Sequence, residues 1–165
     1  MIKRGRRGQI DISFGMIFSI ILIIVVIAVA FYVIRFFLGI SNCGEVGSFY
    51  KDLQDRVDKA YAGGKTQDVF EAGIPNGIEY VCFGELTQQS RTEDRVIIQS
   101  FKDNLLVENQ NVFLYPTNKA CDGNLAYNKI EHAKMQEFFC KKVESGNIEV
   151  RVTKASTDAL VTLSK

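Results

Sequence analysis

The chain has no tryptophan, one histidine, two prolines and four cysteines in 165 residues. A single histidine excludes H-E-x-x-H and other paired-histidine metal sites, and no Walker loop, G-x-G-x-x-G or G-x-S-x-G sequence is present. No Asn-x-Ser/Thr triplet occurs, which excludes N-glycosylation of the usual kind. His132 has Glu131 beside it and Cys140 eight positions on, but nothing in the sequence supports the pair as a base and nucleophile. Asp52, Asp55 and Asp58 recur every three residues without the Gly and Glu of a calcium loop. They read as the solvated face of a helix, paired with Lys51, Arg56 and Lys59. The sequence therefore predicts a protein that is not an enzyme, with no catalytic residue, no metal and no cofactor.

The most telling absence is charge. Residues 12–34 carry none, and within 14–34 only Gly15, Ser19 and Tyr32 interrupt bulky or methyl side chains. Twenty-one helical residues span about 31 Å at 1.5 Å each, enough for a hydrocarbon layer of about 30 Å. Residues 12–40 are accordingly expected to be a single transmembrane helix in the cell membrane. Ala28-Val29-Ala30 has the form of a secretory cleavage site, but Phe31-Tyr32-Val33-Ile34 follows where a signal peptide turns polar. Arg35 marks the far interface, its stem lying along the apolar surface beside Phe36, Phe37 and Leu38.

A basic leader, residues 1–11, precedes the span. Lys3, Arg4, Arg6 and Arg7 outweigh the mixed charges Arg35, Glu45, Lys51 and Asp52 on the other side, which sets the N-terminus in the cytoplasm and residues 41–165 outside. Gly15 and Ser19 lie four apart on one helix face, the small-xxx-small spacing that lets two helices approach closely in lipid.

The run Lys3-Arg4-Gly5-Arg6-Arg7-Gly8-Gln9-Ile10-Asp11-Ile12-Ser13-Phe14 resembles the class III, prepilin-type signal peptide of archaeal type IV pilin-like proteins. The resemblance implies cleavage between Gly8 and Gln9, with the apolar helix retained as anchor or filament core. Where that family continues with Ser and Glu, two and four residues after the Gln, this chain has Asp11 and Ser13; Asp11 is the candidate to replace the missing charge.

The segment 41–165 has the size of one domain. Without Lys3, Arg4, Arg6, Arg7 and Arg35 the 20 basic residues fall to 15, and without Asp11 the 19 acidic residues fall to 18, a balance of about −3. Such a head has no basic footprint for nucleic acid. Its expected partners are membrane lipid through the helix and either copies of itself or another membrane protein. Cys43, Cys82, Cys121 and Cys140 all lie in it, an even number on an oxidising side, and predict two disulfides with three connectivities open. Pairing Cys43 with Cys82 and Cys121 with Cys140 would close the most local loops. Spacings of 39, 39 and 19 lack the short Cys pairs of a zinc site, and Ile40-Ser41-Asn42 is a poor acylation signal ahead of Cys43.

Val46, Phe49, Tyr50, Leu53, Val57, Ala60 and Tyr61 recur at steps of three and four and predict an amphipathic helix ended by Gly63-Gly64, with a break from the span at Cys43-Gly44. A membrane helix followed by an amphipathic helix on a sheet is also the arrangement the pilin-like resemblance implies. Val69-Phe70-Glu71 leads to a turn at Ile74-Pro75-Asn76-Gly77, and strands are expected at 78–83, 112–115, 138–143, 148–152 and 159–163. A second helix is expected over 91–106, opened by a Ser90/Glu93 capping box and carrying Ile97, Ile98, Phe101 and Leu105; residues 124–135 fit helix, loop or strand. Tyr80, Phe113 and Tyr115 read as core. The expected fold class is α+β: an N-terminal transmembrane helix, then a disulfide-stapled extracytoplasmic domain with two helices on one face of an antiparallel sheet.

Overall fold

The computed structural model describes residues 14–90, 92–104 and 109–165. The basic leader and the Gly8-Gln9 bond lie outside the described residues. The chain divides into two units, Met1–Leu38 and Gly39–Lys165.

Helix α1 runs over Phe14–Ala62. In the first unit it is apolar all round as far as Ile34, and its large apolar side chains are exposed from Met16 to Leu38. In the second unit the periodicity returns as predicted: Val46, Phe49, Tyr50, Leu53, Val57 and Ala60 are buried, while Lys51, Asp52 and Asp55 face out. The break expected at Cys43-Gly44 is absent, and the helix passes through it. Glycine adopts helical dihedrals at a cost of about 1 kcal/mol against alanine, so Gly39, Gly44 and Gly47 make the stretch about 3 kcal/mol poorer as helix without stopping it. At its end, Lys154 Nζ donates to the carbonyls of Tyr61 at 2.6 Å and Gly63 at 3.3 Å, a cation on the negative end of the helix.

Eight strands follow among the described residues: β1 Thr66–Gly73, β2 Tyr80–Phe83, β3 Val112–Tyr115, β4 Tyr127–Asn128, β5 Ala133–Lys134, β6 Phe139–Lys142, β7 Asn147–Lys154 and β8 Val161–Ser164. Between β2 and β3 a short 3-10 turn at Thr92–Asp94 leads into α2, Arg95–Asn104. The helix expected over 91–106 thus starts later; Ser90 bridges to Phe138, and Leu105 lies outside the described residues. The turn after β1 closes one residue later than expected, with Ile78 N–H donating to the Pro75 carbonyl at 3.3 Å and Gly77 at φ 97°.

The strands form two four-stranded sheets, in the orders β1-β7-β8-β5 and β4-β3-β2-β6, where one sheet was expected. All pairs are antiparallel except β5 with β8. The division falls at a tight turn. Glu144 and Asn147 exchange backbone hydrogen bonds at 3.0 and 2.9 Å across Ser145 and Gly146, whose φ values of 52° and 78° suit a type I′ turn. Yet β6, before it, pairs with β2 in register Cys82↔Cys140, while β7, after it, pairs with β1 and β8.

Nor do both helices share one sheet face. Val81, Phe83, Val112, Leu114 and Phe139 join α1 and the inner face of the β1-β7-β8 sheet in the main core. The alternate residues Cys82, Phe113 and Cys140, with Phe138, pack with Ile98 and Phe101 of α2. The β2–β3 strands are therefore buried on both faces, which explains their unbroken apolar sequences. The other sheet keeps one face open: Ile148, Val150 and Val152 point in, Glu149 and Arg151 out.

Candidate functional site

The surface with the clearest chemical character is the first part of α1. From Met16 to Ile40 the bulky side chains are exposed, Ile24 and Phe36 near 60 %. It is the one described helix long and apolar enough to cross a membrane, and none of its most apolar stretch is buried. Ser19 and Gly15 share a face, and Ser19 Oγ donates to the Gly15 carbonyl at 2.8 Å. That bond satisfies the hydroxyl inside its own helix, which apolar surroundings require. Tyr32 stacks on Phe36 at 6.5 Å between ring centroids, and Phe37 lies edge-on to Phe36, so aromatic rings flank Arg35. Lys3, Arg4, Arg6, Arg7, Gly8 and Gln9 lie outside the described residues.

A strap crosses the start of the head. Cys43 is bonded to Cys121, the Cys121 N–H donates to Asn42 Oδ1 at 3.0 Å, and Tyr50 hydroxyl donates to the Leu125 carbonyl at 2.9 Å. The loop around residues 120–126 is thus fixed to two turns of α1. Burial pushes the Tyr50 hydroxyl far above its ordinary range, because the phenolate would be stranded away from water. The second disulfide joins Cys82 to Cys140. Both predicted disulfides are present, but the local pairing is not. Cys82 lies opposite Cys140 across β2 and β6, and Cys43 lies on the helix face that meets the 120–126 loop.

Cys140 is therefore not a partner for His132. His132 Nδ1 lies 3.0 Å from Asp58 Oδ1, and its ring stacks on Tyr61 at 4.0 Å and 8°. Lys154 Nζ stands 4.9 Å above the other aromatic partner, Tyr61. The helix carboxylates pair locally, though not all as predicted. Lys51 holds Asp55 at 2.8 Å, which keeps its ammonium above the usual range, whereas Arg56 reaches across to Asp68 at the start of β1. Phe113 is buried against Phe101 as expected for a core residue, whereas Tyr115, edge-on to Phe101, and Tyr80, beside Tyr115, are only partly buried. Among the described residues no group of three or more His, Cys, Asp or Glu side chains could hold a metal ion.

Asp94 is the one buried charged residue among those described, and periodicity gave no sign of it. Its Oδ2 accepts from the Cys140 N–H at 3.2 Å, and Gln89 carbonyl accepts from Phe138 N–H at 2.9 Å. Together they occupy an outward-facing donor of β6, the edge strand of its sheet, and the donor of the residue just before it. An open groove of about 700 Å³ adjoins this edge, lined by Tyr80, Asp94, Ile97, Lys142, Asn147 and Glu149.

Comparison with known proteins finds no matching family model, no similar curated protein and no similar solved structure.

Proposed function

We propose that this chain is a single-pass, membrane-anchored pilin-like or surface-assembly subunit without catalytic activity, cut between Gly8 and Gln9, with residues 41–165 on the extracytoplasmic side. The observation that carries the reading is the exposed apolar surface of α1 from Met16 to Ile40, far more apolar area than a protein presents to water. The basic leader ahead of it and the two disulfides beyond it agree on orientation, since disulfides persist on the oxidising side of a membrane. The pilin-like resemblance also implies an apolar helix continued by an amphipathic one against a sheet, and α1 has both parts in one element. The Gly15/Ser19 face is where a second helix would pack.

Mass spectrometry of the mature N-terminus tests the processing step. A chain beginning at Gln9 supports it; one beginning at Met1 or Ile2 overturns it. Crosslinking in native membranes tests assembly, for which a ladder of self-adducts is expected.

The second reading is a membrane-anchored binding or accessory domain of a larger complex. The open outer face of the β1-β7-β8 sheet favours it, since Glu71, Glu149 and Arg151 are exposed there. One heterologous adduct in place of the ladder would select this reading.

A further inference from the structure

Residues 39–47 read Gly39-Ile40-Ser41-Asn42-Cys43-Gly44-Glu45-Val46-Gly47, and the structure holds all of them in α1. Three glycines with Ser, Asn and Cys make this the poorest helical sequence in the element. Packing does not explain the glycines, because nothing lies within 4 Å of where a Cβ would stand at Gly39, Gly44 or Gly47. The first core residue is Val46; before it, the attachments to the head are Asn42 and Cys43, and both end on Cys121. Cys121 itself sits at φ 51°, a left-handed conformation that persists where its surroundings impose it.

We propose that residues 39–45 are a conditional helix, wound while the Cys43–Cys121 bond is closed and unwound when it opens, with the rest of the head keeping its fold. Access separates the two disulfides. Cys43 and Cys121 are half-buried, whereas Cys82 and Cys140 are buried in the core beneath α2. A dithiol reductant reaches the first bond more readily. Its thiolate attacks one sulfur, the resulting mixed disulfide is resolved by the reductant's second thiol, and Cys43 and Cys121 are left as two thiols. Two electrons and two protons pass to the protein, and the reductant leaves as a disulfide. The device stands on the helix and the bond alone and holds whatever the head binds.

The test uses the full chain in detergent micelles, treated with limiting dithiothreitol, with alkylation to identify the opened pair and hydrogen exchange to follow the backbone. Opening of Cys43–Cys121 ahead of Cys82–Cys140 is expected, with amides 41–47 exchanging at least tenfold faster and those of β2, β3 and β6 unchanged. In the Gly39→Ala, Gly44→Ala, Gly47→Ala variant, opening the same bond should change exchange at 41–47 less than threefold. Unchanged exchange at 41–47 in the wild-type protein, loss of protection across the whole head, or prior opening of Cys82–Cys140 would each overturn the proposal. The wild-type measurement decides without any variant.

Discussion

Cys82 and Cys140 face each other across two antiparallel strands and are covalently joined there, while the Cys140 N–H is held by the buried Asp94 carboxylate. One residue thus fixes β6 on both of its edges.

Removing that bond as Cys82→Ala, Cys140→Ala should be costly. A sequence separation of 58 corresponds to about 4 kcal/mol in the chain-entropy model. Urea unfolding of the full chain in detergent should show the midpoint fall by that equivalent, with the Cys43–Cys121 peptide pair still linked in a non-reducing digest. A loss under 1 kcal/mol would mean that the paired strands need no staple.

Asp94→Ala should strip the cover from an edge strand. The Cys140 N–H loses its acceptor, at a cost of about 1–3 kcal/mol, and the bared edge can pair with another chain. Greater self-association by light scattering, relative to the wild-type protein at equal concentration, is the expected result.

Gly84→Ala should destabilise the head by about 2 kcal/mol or more. Gly84 sits at φ 121°, and an added Cβ would lie 2.9 Å from the Phe138 Cα. A neighbouring backbone cannot yield as a flexible side chain would. Thermal unfolding of the variant measures the loss.

Tyr50→Phe should cost about 1–2 kcal/mol near neutral pH, because the buried Leu125 carbonyl loses its donor. Alkali separates the two proteins further. Tyr50 keeps its proton in the folded state well above pH 10, where an unfolded tyrosine releases it. Its contribution is therefore complete below pH 10 and is lost as pH rises beyond that value. The gap between wild-type and variant stability should narrow from pH 9.5 to 11.5. A constant gap would show that Tyr50 titrates normally.

What the sequence disclosed followed physical range. The helical stripe from Val46 to Ala60 repeats every three or four residues and is buried nearly as read; Tyr61, at its end, instead stacks on His132. Strand β3 was legible from four apolar residues before Pro116. The two-sheet division was not, because β6 and β7 meet at a two-residue turn that ordinarily keeps its strands paired. The distant pairing of β6 with β2, in which Cys82 lies opposite Cys140, draws β6 away. The same long range hid Asp94, whose role depends on a backbone donor 46 positions along. The leader resemblance concerns Gly8 and Gln9, a matter of processing chemistry that no packing pattern encodes.

The disulfides interleave: Cys43 joins Cys121, and Cys82 joins Cys140, across separations of 78 and 58 residues. Any single backbone cut between residues 43 and 140 leaves at least one bond bridging the two pieces. A protease nicking an exposed turn within that span therefore cannot shed a fragment from the apolar helix. Freeing the head whole needs a cut ahead of Cys43, and a cut after Cys140 severs only the end of the chain that carries β7 and β8.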